Sequence, residues 1–424
     1  MKIIKKTDNS SLRKIANKKN LPIVELIVSK LDKLALETGR NSTLLAVCPN
    51  SENVLRAALR SAKRADCPIK FAATLNQVDT DRGYTGWNQK DLVRKIKEES
   101  YKIGYDGPII VAVDHGGPWV KDIQTTEKWN LKKAMAWTKK SFETAILAGY
   151  DLIHIDPTVD IFKKDIAIQT VAERTLELLV HCEKFRTANS IQPISYEVGT
   201  EEVHGGLADT QTFREFLNLL KIGLSENNIK DSWPIYIVAK VGTDLHTTTF
   251  NFKTAKTVVK IASEYSSKIK GHYTDSVSNP QDYPATGIGA ANVGPEFTIS
   301  EYVALNELSE LEQKLFKKDQ VAYFSEYKVT LTTAVLESGR WQKWLLEDED
   351  DFNSLSDKRK EWIIQTSCRY VWTDPEVKNS QHILYDNLFQ NGIDPDTWVL
   401  SSIEASIDKY LNKFNLIDLN KKLK

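Results

Sequence analysis

The chain has 424 residues, 57 basic and 57 acidic side chains, seven His and four Cys. The zero formal charge argues against a dedicated nucleic-acid binder, which carries a basic excess or stripe; the four widely spaced cysteines form no C-x-x-C pair and signal neither a zinc ribbon nor a disulfide framework. The N-terminal stretch lacks an apolar h-region, and no apolar run reaches the roughly 18 residues that suggest a membrane span, so a cytoplasmic protein with no membrane partner is expected.

From residue 43 the sequence repeats one unit, a short apolar run followed by a charged amphipathic stretch. TLLAVCP (43–49) leads into a helical pattern at 51–65, and IKFAATLNQ (69–77) into one at 88–104. PIIVAVDHGG (108–117) precedes 130–149, and LIHIDPT (152–158) precedes 167–185. PISYEVGTEE (193–202), PIYIVAKVGT (234–243), KIKGHYTDSV (268–277) and GIGAANVGP (287–295) follow, with a further helical pattern at 253–268. Apolar residues recur at helical spacing, as at Leu92, Ile96 and Ile103, and Gly104 and Gly149 sit where helix caps belong. The gap before the eighth strand is short and shows no clear helix.

Strands alternating with helices imply parallel pairing. Eight units fit a closed α/β barrel, the (β/α)₈ TIM fold, better than an open doubly wound sheet. The G-x-G-x-x-G that would mark the open sheet is absent after the first strand, where CPNSEN stands. No G-x-x-x-x-G-K-[ST] occurs, which argues against a P-loop kinase. After about residue 317 the chain turns charged, helical and Trp-rich: Trp341, Trp344, Trp362, Trp372 and Trp398. The expected organisation is a barrel with an N-terminal helical segment over 1–316 and a helical extension over 317–424. The extension is expected to pack on the barrel, cover its mouth or make a subunit contact.

Barrel enzymes gather catalytic groups at the C-terminal ends of strands. Three of the seven histidines fall there: His115, His246 and His272. VDHGGP ends the third strand on Asp114 and His115, where a turning backbone can aim both at the mouth. YEVGTEEVHGG supplies Glu197, Glu201, Glu202 and His204 after a buried strand. Carboxylates so placed need solvent, a partner or a cation. Glu201 is the preferred metal ligand there, Glu202 a mobile acid/base, and Glu197 an interior group that can pair with Lys240. Three histidines and a carboxylate on four strands can converge on one divalent ion. Zn²⁺ suits such mixed N/O donors, with Mn²⁺, Co²⁺ and Ni²⁺ as alternatives.

Asn76 and Gln77 at the second strand end can reach sugar hydroxyls, while Asp79, Arg82, Gly83 and Gly86 fit a structural turn equally well. ANVGPEFT offers Asn292 and the N–H groups around Gly294 at a helix start, a place where barrels hold phosphate, although Glu296 stands close by. Lys240 can meet an anionic substrate group. His154 is assigned to the barrel interior and Asp156 to its mouth; His181 and His382 receive no role.

The segments NQVDTDRGYTG, VDHGGPW, LIHIDPT followed by TVAERT, YEVGTE and GHYTD, in order over about residues 40–310, resemble the accessory-subunit family of class II tagatose-bisphosphate aldolases, once labelled tagatose-6-phosphate kinases. The resemblance implies a barrel related to the catalytic class II aldolases and a role in sugar metabolism. By similarity to those enzymes, Asp114 would be the acid/base, and His115, His246 and His272 metal ligands with Glu201 nearby. Asp275 resembles the substrate-contacting Asp of their H-G-A-S-D motif, read here as H-Y-T-D. The family is called non-catalytic, yet this chain retains the polar groups of a metal site, and some relatives resemble metal-dependent ketose or uronate epimerases. The expectation is aldol/retro-aldol chemistry on a ketose or its phosphate, ending in cleavage or 4-epimerisation. The alternative is an accessory subunit that stabilises a separate catalytic aldolase; a homo-oligomer is also consistent.

Overall fold

Eight short strands are buried along almost their whole length, so each must be covered inside and out. In the computed structural model, which describes residues 11–163, 165–199, 209–243, 247–271 and 273–423, they form one closed parallel barrel in the order β1 to β8. The strands are β1 Leu44–Val47, β2 Ile69–Thr74, β3 Ile109–Gly116, β4 Leu152–Ile155, β5 Ser195–Gly199, β6 Tyr236–Ala239, β7 Lys268–Gly271 and β8 Ala290–Val293. Leu44 opposite Ala290 and Val47 opposite Val293 close the ring. This is the TIM barrel the alternation predicted.

The helices begin and end where their capping residues direct. Asn88 and Asp91 form a reciprocal capping box at the start of Gln89–Ile103. Gly104 and Gly149, at φ +66° and +93°, terminate Gln89–Ile103 and Leu131–Ala148 in the left-handed conformation. A helix of one turn, Asp282–Thr286, occupies the last gap, too short to show periodicity in sequence. At the opposite end, helices Ser11–Lys19 and Ile23–Thr38 close the barrel floor. There the buried Arg13 reaches Asp151 (2.7 Å) and the Ile109 carbonyl (3.0 Å).

The extension shares the apolar core of the barrel. Helix Pro395–Lys413 lies against Glu52–Ala65 and Pro295–Phe316, and Ile403, Ile407 and Leu411 join Leu55 and Leu59 in one buried cluster. Ion pairs border the seam: Arg56 with Asp396 (2.7 Å) and Arg64 with Asp408 (2.6 Å). Two short segments, Arg340–Trp344 and Cys368–Tyr370, reach over the C-terminal ends of the strands and roof the mouth. Trp341 is buried and Trp362 and Trp372 pack on the core, as anchors should. Among the described residues no helix is long and apolar enough to cross a membrane.

Candidate active site

Asp114 and His115 are neighbours on β3, and a regular strand would point them to opposite faces. Two irregularities prevent this. The β3–β4 register shifts between Val113 and Gly116, and His115 adopts φ +45°. Such a conformation is strained for a non-glycine residue and persists only when its surroundings hold it. Here the His115 N–H donates to Nδ1 of His154 (3.0 Å). A Cβ on Gly117 would collide with the Asp156 carbonyl, so only glycine allows the chain to leave β3 this close to β4. Both Asp114 and His115 therefore line one cavity of about 180 Å³ at the mouth, a size below the roughly 300–1,000 Å³ of drug-sized sites and suited to a compact polar ligand.

The His115 ring is fixed from behind. Its Nδ1–H donates to Oδ2 of Asp156 (2.5 Å), and Asp156 is held by Thr158 Oγ1 (2.5 Å). Burial would lower the His115 pKa, but Asp114 and Asp156 outweigh it and raise it. Donation from Nδ1 leaves the lone pair of a neutral ring on Nε2, the pattern of a histidine prepared for a metal by a carboxylate. Asp114, His115 and His154 lie close enough together to surround an ion. Because Nδ1 of His154 accepts the His115 backbone N–H, however, His154 is a support for the pair, and its Nε2 has no partner among the described residues.

Beneath this pair lies a buried charged layer. Lys270 pairs with Asp114 (2.7 Å) and with Glu197, and Lys70 pairs with Glu197 (3.1 Å); all four side chains are nearly inaccessible. Burial would raise the Glu197 pKa, yet Lys270 and Lys70 pull it down to about 2. Burial is likewise outweighed by Lys270 and His115 at Asp114, whose carboxyl stays well below its usual range. The expected partner of Glu197, Lys240, is corrected: it follows the end of β6, whereas Lys70 and Lys270 project into the barrel at the level of Glu197.

The remaining mouth residues divide into those with free polar atoms facing the cavity and those held in structural bonds. Gly294 and Glu296 donate their backbone N–H groups to Oδ1 of Asp275 (2.9 and 2.8 Å). The expectation of open N–H groups around Gly294 is thereby corrected, since an aspartate already fills that helix start. Burial pushes the Asp275 carboxyl up to about 7, against these two hydrogen bonds. Asn292 lines the cavity, and its Oδ1 has no partner among the described residues. Asn76 lines it too, but its amide group is bonded to Val120 and Asp122. Gln77 donates to Asn50 and is a brace at the cavity wall. Asp79 is structural, accepting from Ser141 (2.7 Å), Trp137 (2.9 Å) and Gln89 (3.0 Å).

Glu201, Glu202, His204, His246 and His272 lie outside the described residues. Residues absent from the sequence expectations also line the cavity: Asn50, Tyr84, Lys343, Arg369 and Tyr370. Lys70 and Lys270 carried a legible signal, since a lysine inside a continuously apolar strand must find a buried partner. Arg369 and Tyr370 carried none, because they reach the mouth only through the packing of the extension.

A family model described as "D-tagatose-1,6-bisphosphate aldolase subunit GatZ/KbaZ-like" matches residues 32–412. D-tagatose-1,6-bisphosphate aldolase subunits GatZ from Escherichia coli strains O6:K15:H31 and SMS-3-5 are 25% identical over 386 residues, spanning 84% of this chain and 87% of theirs. Among solved structures, a Sinorhizobium meliloti 1021 protein described as a probable tagatose 6 phosphate kinase superposes with a TM-score of 0.73 at 19% identity, over 88% of this chain and 100% of that one. Fructose-bisphosphate aldolase from Campylobacter jejuni superposes with a TM-score of 0.53 at 12% identity, over 98% of both chains. At these identities the two structural likenesses bear on the fold.

Proposed function

The chain belongs to the GatZ/KbaZ-like family of D-tagatose-1,6-bisphosphate aldolase subunits, and within it we propose a metal-dependent, class II aldolase-like enzyme acting on a ketose or ketose phosphate. The observation that carries this reading is the strained β3 end, which turns Asp114 and a carboxylate-backed His115 into one cavity. The donor chemistry fits a divalent metal: an imidazole with its far nitrogen anchored, beside a carboxylate. His115 would hold the ion together with His246, His272 and Glu201, and Zn²⁺ is the first choice for such donors. Such an ion, when bound, would supply Lewis-acid stabilisation of the negative charge that develops on a ketose oxygen when a carbon–carbon bond breaks.

The chain's own groups do the proton work. Lys270 holds Asp114 ionised, so Asp114 is ready to accept the hydroxyl proton at the bond to be cleaved. Asp275, with its pKa near 7, can hold a proton and return it at neutral pH. Glu202 would serve as a second acid/base. Asn292 Oδ1 accepts from a sugar hydroxyl and orients it. If the aldehyde fragment leaves, the outcome is aldol cleavage; if it turns and is re-added, the outcome is 4-epimerisation.

Product analysis by NMR of ketoses, ketose phosphates and keturonates, with Zn²⁺, Mn²⁺ or Ni²⁺, tests this reading. Turnover that disappears in Asp114→Asn supports it; turnover unaffected by that change refutes the role of Asp114. The family's description as a subunit favours a second reading, an accessory chain that stabilises a separate aldolase. Co-purification with a catalytic aldolase, with no turnover by this chain alone, is its signature.

A further inference from the structure

The roof brings three cations to the mouth, and they are not equivalent. Arg340 and Lys343 both pair with Asp122 (2.5 and 3.3 Å). Arg369 has no such carboxylate among the described residues. It is 6% exposed and lines the cavity that holds Asp114 and His115. Its Nη2 donates to the Tyr370 hydroxyl (3.0 Å), and its guanidinium lies over the rings of Tyr370 (4.9 Å) and Trp344 (5.2 Å). Its Nη1 has no hydrogen-bond partner among the described residues.

A buried guanidinium cannot discharge itself by losing a proton. A buried charge without a counter-ion is costly, and proteins keep one where something else compensates. The aromatic faces and one hydroxyl compensate only in part. Meanwhile the helix start after β8, where barrels commonly hold a phosphate, is filled by the carboxylate of Asp275. In the same cavity, therefore, the Asp275 carboxyl group occupies the place where an anion seat is usual, while the Arg369 guanidinium has no carboxylate hydrogen-bonded to it among the described residues.

We infer that Arg369, with Tyr370 beside it and Lys343 at the rim, is the seat for an oxyanion on the end of the substrate. This rests on the ketose reading above and narrows it to ketoses bearing a terminal phosphate or carboxylate. The reacting carbons face Asp114 and the anionic end faces the roof. Arg369 is then a binding residue contributed by the extension, and it presents planar paired N–H donors of the kind that match such groups.

Calorimetric titration of the full chain with D-fructose, D-fructose 6-phosphate and D-fructuronate tests this. At least one anionic ketose should bind about tenfold or more tighter than D-fructose, and the preferred one identifies the anionic group. Arg369→Met should erase that preference without lowering the melting temperature, because it removes an uncompensated charge; a structural arginine would lower it. Arg369→Lys should restore part of the preference. Equal affinity for D-fructose and both anionic ketoses, or a preference surviving in Arg369→Met, overturns the inference and leaves the ketose reading intact. If Arg369→Met fails to fold, an Arg369→Lys protein that folds but shows no preference overturns it equally. Stabilisation by inorganic phosphate that requires Arg369, with no ketose bound, upholds the seat and refutes the ketose reading.

Discussion

Asp156 Oδ2 lies 2.5 Å from Nδ1 of His115; His115 is on β3 and Asp156 directly follows the end of the adjacent β4. The contact fixes both the ring's orientation and the nitrogen that carries its proton. Asp156→Ala should therefore leave the barrel folded but weaken Zn²⁺ binding by about 10- to 100-fold. Competition with a chromophoric chelator measures this. Unchanged affinity would mean that His115 is no ligand or needs no support.

Lys270 is the shared counter-ion of Asp114 and Glu197. Lys270→Met removes one charge and leaves two buried carboxylates facing each other, with only Lys70 remaining for Glu197. Breaking a buried pair from one side costs about 3–5 kcal/mol. Urea unfolding should show a loss of that order for Lys270→Met and a smaller one for Lys70→Met. The reverse ranking would contradict the assignment of Lys270 as the hub.

Glu301 is buried against Ser51 and Asn53. Burial raises its pKa to about 7 from the ordinary 4.5, against those two hydrogen bonds. The folded state thus holds the proton more tightly than the unfolded chain. Its contribution to stability is complete below pH about 4.5 and is lost as pH rises through about 7. Glu301→Gln cannot lose that proton. Relative to the natural protein it should gain stability between pH 5 and pH 8 in urea titrations; a difference independent of pH would show that Glu301 is ionised in the fold.

The roof is tied to the barrel by Asp122, which accepts from both Arg340 and Lys343. The pairs are half exposed, so their energetic weight is small, about 0–1 kcal/mol. Asp122→Ala should leave the melting temperature nearly unchanged and increase limited proteolysis within residues 338–345. Cleavage at the natural rate would show that the aromatic packing alone holds the roof.

The barrel was legible because its period is local. Each strand announced itself by an apolar run, and five helices, at 51–65, 88–104, 130–149, 167–185 and 253–268, by spacing and caps, Gly104 and Gly149 among them; Thr210–Glu226 and the one-turn Asp282–Thr286 were not read. The Asp114–His115 pair was also legible, since two polar residues followed by Gly116 and Gly117 end an otherwise apolar strand. The device that aims them was not, because register against β4 is a relation between two distant segments. The same limit hid Arg369. Nothing near Arg369 in sequence resembles a site, and about 250 residues separate it from His115.

That separation ties the cavity to the order of synthesis. The strand that carries Asp114 and His115 leaves the ribosome early, but the wall formed by Lys343, Trp344, Arg369 and Tyr370 arrives only after all eight barrel strands have been made. Helix Pro395–Lys413, which seals the first barrel helix, comes later still. A product of interrupted translation would carry Asp114 and His115 without their roof, open to water. The enclosed cavity thus forms only after the extension has followed the barrel.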